Sequence, residues 1–126
     1  MEKPDLETQF VHYKLTNDIL FFTYKSGSKI TLAIAKEIVK TRLEYINGTA
    51  YPTLIKDHGL VSLDKEARDF LSSPEGSLGV TAAALMVHSV FNTFLGNFFL
   101  KVTQPKIPAK IFTDQSKALE WLNTYK

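Results

Sequence analysis

Four short groups of residues carry side chains able to bind a ligand or do chemistry: Lys25-Ser26, Asp57-His58, His88-Ser89 and Thr113-Asp114. Each follows a run rich in apolar and β-branched residues. In an open α/β sheet, ligands bind beyond the carboxyl ends of the parallel strands, where such groups collect. With Gly27, Ser28 and Gly59 they would form a small polar pocket, and helices starting at Ser89 and Asp114 would offer backbone amides to an anion. Two of the three histidines belong to this set, and they would face one crevice if their strands were neighbours. The same residue types also serve as helix caps, turn residues and surface groups.

Catalysis is a weaker reading of these residues. A relay drawn from Ser89, His58 or His88, and Asp57 or Asp114 has no G-x-S-x-G elbow behind it, and adjacent His88 and Ser89 side chains diverge on leaving a strand. A metal site built from His58, His88 and a carboxylate lacks a local ligand motif. The chain contains no cysteine, which excludes disulfides, thiol catalysis and cysteine-based zinc sites. The segment Tyr24-Lys25-Ser26-Gly27-Ser28-Lys29 lacks the spacing of a phosphate-binding loop. The expectation is a protein with no catalytic residues, no metal and no cofactor. A small hydrolase using the histidine cluster is the third-ranked alternative.

The elements that must position these groups follow from periodicity. Val11, Tyr13 and Leu15 alternate with polar neighbours over Phe10–Leu15, which is strand spacing. Thr16-Asn17-Asp18 supplies a turn, and Ile19–Tyr24, apolar on both faces, returns as an inner strand. Leu32, Ala35, Val39, Leu43 and Ile46 mark one stripe of a helix, with Thr31 as N-cap and Asn47-Gly48 as stop. Tyr51–Asp57 is a third strand. Ser62 is placed as the N-cap of a short helix that turns Leu63, Ala67, Phe70 and Leu71 inward. Val80–Val87 reads as a strand buried on both faces, Ala109–Thr113 as a fifth strand, and Asp114 as the cap of a last helix carrying Ala118, Trp121, Leu122 and Tyr125. The order is β-β-α-β-α-β-α-β-α, an α/β fold with a five-stranded, mostly parallel sheet and one antiparallel strand from the N-terminal hairpin. The pattern leaves strand order open.

The helix expected from Val90 to Val102 is unusual. Phe91, Phe94, Leu95, Phe98 and Val102 form a normal buried stripe. The opposite side carries Thr93, Gly96, Asn97 and Leu100, small and uncharged, where the first helix shows Lys36, Glu37, Lys40 and Glu44. A second unpolar face of this kind fits a contact with a symmetry-related helix, or with an apolar or lipid molecule. A membrane-surface helix would carry basic residues on its polar side. A homodimer or a regulatory protein partner is therefore expected.

Composition bounds the remaining possibilities. With 126 residues, 44% of them hydrophobic and 22% charged, the chain reads as a single domain, residues 1–126, with 1–9 expected to be a flexible lead. A net charge of +2 is too small and too dispersed for a nucleic-acid binder. The polar, mixed-charge start Met1–Gln9 does not resemble a signal peptide, and no apolar run reaches the ~20 residues of a transmembrane segment. A cytoplasmic protein is expected.

The run Pro108-Ala109-Lys110-Ile111-Phe112-Thr113-Asp114, followed by Ala118-Leu119-Glu120-Trp121-Leu122, resembles the closing strand and helix of bacterial SpoIIAA-like proteins. Lys65–Phe70 and the segment Val80–Leu100 are similar to the same group. The resemblance implies a STAS-like fold, related in architecture to the lipid-binding CRAL-TRIO domains, and hence a non-catalytic binding or regulatory domain. The implied alternative is a CRAL-TRIO-like binder of an apolar or lipid small molecule. STAS-domain anti-sigma-factor antagonists carry a phosphorylatable serine in Asp-Ser-x-Gly. The corresponding stretch here, Asp57 to Asp64, has no such motif, leaving Ser62 at the expected helix start as the candidate phosphosite.

Overall fold

The computed structural model describes residues 3–57, 62–86 and 107–126. The chain opens with β1 (Leu6–Glu7), β2 (Val11–Thr16) and β3 (Ile19–Tyr24), and β2 and β3 form the expected hairpin. Asn17 and Asp18 both take positive φ, 51° and 61°. Two successive left-handed residues match the right-handed twist of the strands they join, and Asn and Asp tolerate that conformation. Leu6 and Glu7 pair antiparallel with Tyr13 and His12, so part of the lead expected to be flexible is a sixth, short edge strand.

After β3 the chain forms β4 (Lys29–Ile30) and α1 (Leu32–Ile46). The Thr31 side chain caps α1 by accepting the Ile34 N–H at 3.3 Å, and Asn47 ends it at φ 50° with its N–H donated to the Leu43 carbonyl. Then follow β5 (Tyr51–Asp57), β6 (Ser62–Leu63), α2 (Lys65–Ser72), β7 (Val80–Met86), β8 (Ala109–Phe112) and α3 (Gln115–Asn123). The main sheet has the order β1-β2-β3-β5-β7-β8. Its β3, β5, β7 and β8 run parallel, and β1, β2 and β3 alternate in direction.

One expected boundary is corrected. Ser62 does not cap α2; it lies in β6, opposite Lys29 of β4, and Asp64 holds the N-cap position. The β4–β6 bridge joins segments more than thirty residues apart by the numbering, Lys29–Ile30 with Ser62–Leu63, and no local sequence signal announces it. Ser62 therefore has no helix N-terminus of its own to favour a phosphate.

Apolar residues fill both faces of the sheet. On one face Val11, Tyr13, Leu15, Leu20, Phe22 and Tyr24 pack with Ala35, Ile38, Tyr45 and Ile46 of α1 and Ala67 of α2. On the other, Ile19, Leu54, Ala82 and Ala84 receive Ala118 and Leu122 of α3. Alanines in the middle of β7 remove side-chain bulk where α3 lies on the sheet, allowing close approach.

Candidate functional site at the strand ends

The carboxyl ends of the parallel strands lie side by side, with Tyr24 opposite Asp57 and Met86 opposite Phe112. β5 and β7 are neighbours, so the strands that lead into His58 and His88 are adjacent, as the crevice reading requires. His58, His88 and Ser89 lie outside the described residues, as do Thr93, Gly96, Asn97 and Leu100.

The described candidates are divided between the two faces. Side chains alternate along a strand, and Asp57 shares its face with Tyr24, towards α1. Lys25 turns the other way and forms an ion pair with Glu7, Nζ to Oε2 at 3.3 Å. Ser26 is exposed, Gly27 takes φ 77°, and the Ser28 hydroxyl donates to the Lys25 carbonyl at 2.8 Å. Asp114 is exposed and caps α3 by accepting the Ser116 N–H at 2.8 Å. Lys25, Asp57 and Asp114 are brought to one edge of the sheet, but Lys25 and Asp57 point to opposite sides of it.

Behind that edge is a polar cluster that pattern reading missed. Arg42 of α1 is only 6% exposed, and its guanidinium donates to the carbonyls of Gly76 at 2.7 Å and Leu78 at 2.9 Å. The Tyr13 hydroxyl donates to the Ile38 carbonyl at 2.8 Å. Burial pushes the Tyr24 phenol up to about 12, offset in part by Arg42 and reinforced by Asp57. Burial also raises Tyr13, again with Arg42 opposing, and lowers Arg42, which the two tyrosines counteract. The signal for Arg42 was in the spacing: it falls seven residues after Ala35 and three after Val39, on the buried stripe. Phenols held protonated and a guanidinium bound to carbonyls fix the packing of α1 on the sheet and on the α2–β7 connection.

The mostly parallel sheet, the antiparallel N-terminal hairpin and the helices packed on both faces define a SpoIIAA-like α/β fold. The chain superposes with TM-score 0.60 on an uncharacterised protein of the DUF3478 family with a SpoIIAA-like fold from Shewanella loihica PV-4, at 17% identity over 89% of this chain and 91% of that one. A family model for a domain of unknown function, DUF7793, matches residues 13–126, and the chain belongs to that family. A protein of unknown function from Arthrobacter sp. FB24 is 27% identical over 89% of this chain and 92% of its own, with TM-score 0.34. No curated protein matches the chain. No helix among the described residues is long and apolar enough to cross a membrane.

Proposed function

We propose that this chain is a non-catalytic binding domain that acts through protein contact, as a homodimer. The observation that carries this reading is the use to which the strand-end side chains are put. Lys25 is held by Glu7, Ser28 by a backbone carbonyl, and Asp114 by the first turn of α3. Groups committed to structural bonds at the place where this architecture usually binds substrate argue for a surface as the working part. The contact is assigned, from sequence spacing alone, to Thr93, Gly96, Asn97 and Leu100, which lie outside the described residues; their types suit close helix approach and their lack of charge suits burial.

Light scattering of the purified protein tests this directly. A dimer is expected, with Leu100→Glu giving a monomer whose circular dichroism and melting temperature match the parent. A parent that is already monomeric at micromolar concentration, or a Leu100→Glu dimer, would refute the homodimer.

A further inference from the structure

We propose that the cleft between the β2–β3 turn and α3 binds a small amphipathic organic acid, with an apolar body and one carboxylate. This site lies at the opposite end of β3 from the strand-end cluster and is separate from the protein-contact reading.

The cleft is open to solvent on one side and has a volume of about 400 Å³, a size that suits a small molecule and not a folded partner. Its apolar part is made by Ile19 and Phe21 of β3 and Leu119 of α3. Phe21 is half-buried and packs against the cluster under α3 without being closed over by it. An apolar wall left open beside a helix offers a body of similar size a place to leave water.

The charge around this wall is predominantly positive. Lys14 is the cross-strand partner of Phe21, and the Lys56 ammonium stands 6.0 Å from the centre of the Phe21 ring. Asp18, in the turn, is an acid in the lining, and Lys126 brings a main-chain carboxylate beside its ammonium. The ion pairs among the described residues are His12–Asp5, Lys25–Glu7 and Lys65–Asp69; they leave Lys14 and Lys56 without a carboxylate. Lysines act as point charges towards an anion and need no fixed bidentate geometry.

Thr16 also lines the cleft, but its hydroxyl oxygen is closed off from solvent and takes no part in binding. A ligand carboxylate would face the lysines, and its body would lie on Phe21 and Leu119.

The test is an NMR titration of the full chain with 4-phenylbutyrate, with 4-phenylbutanamide as the uncharged control. Saturable shifts are expected at residues 16–21 and 119–126. Affinity should fall about tenfold for the amide and for Lys56→Glu, with a similar loss for Lys14→Glu. Lys14 is exposed, so its variant keeps the proposal testable if Lys56→Glu fails to fold. Absence of saturable shifts, shifts centred on other residues, equal affinity for acid and amide, or unchanged affinity in a folded lysine variant would each overturn it.

Discussion

Arg42 illustrates how one side chain can decide a packing arrangement. A guanidinium is costly to remove from water unless its donors are met; here two carbonyls of a single connection accept from its Nη2, while its buried Nε has no partner among the described residues. Arg42→Met keeps the apolar stem but strands the Gly76 and Leu78 carbonyls. It should cost about 3 kcal/mol, read as a lower urea midpoint with an unchanged slope. The tyrosines beside it make stability depend on alkaline pH. Tyr24 ionises near 10 when solvated and at about 12 in the fold. Its contribution is complete below the lower value and is lost as pH rises towards the higher one, because the unfolded chain gives up its proton first. Stability should therefore fall between about pH 10 and pH 12, by up to about 1.4 kcal/mol per pH unit for this phenol, read as a falling melting temperature. Tyr24→Phe should flatten that fall, and a profile identical to the parent would show that the phenol is not coupled to folding.

Elements were legible where their signals are local. The hairpin followed from alternation and the Asn17-Asp18 turn, and α1 from Thr31 and Asn47-Gly48 at its ends. α3 followed from Asp114 and its apolar spacing; Asp114→Ala should lower stability by about 1 kcal/mol through loss of the cap, measurable by thermal melting. What escaped reading depends on distant partners. β1 exists because β2 offers an unpaired edge, and β6 because β4 lies beside it; two residues have no periodicity to detect. The candidate site was legible as a set of strand ends, but its division between two faces depends on the register Tyr24–Asp57 and on the Lys25–Glu7 ion pair, neither of which composition encodes. Close packing leaves its own signature in glycine. A Cβ on Gly76 would collide with the Phe70 carbonyl, and Gly79 takes φ 84° against the Ile46 side chain. Gly76→Ala should destabilise by more than the ~1 kcal/mol typical of a point substitution, because the obstacle is backbone that cannot rotate aside.

At the scale of the molecule, the two faces of the sheet are closed unequally. α1 and α2 share one face, while among the described residues the other is covered by α3, a helix of nine residues. This imbalance leaves the wall beside Phe21 open, at the other end of β3 from the strand ends, and the proposed acid site and the proposed dimer contact are expected to be separable. Lys14→Glu is expected to leave the molar mass in light scattering unchanged, and Leu100→Glu to leave the 4-phenylbutyrate affinity unchanged. A variant that alters both would show that the two surfaces are linked.

The bonds from Arg42 to Gly76 and Leu78 also bear on how the protein is made. A nascent chain that has left the ribosome only as far as residue 75 holds a cation due for burial and lacks both carbonyls that receive it. The N-terminal portion should therefore stay unstructured until the α2–β7 connection emerges, and a fragment of residues 1–75 should give the far-ultraviolet spectrum of a disordered peptide.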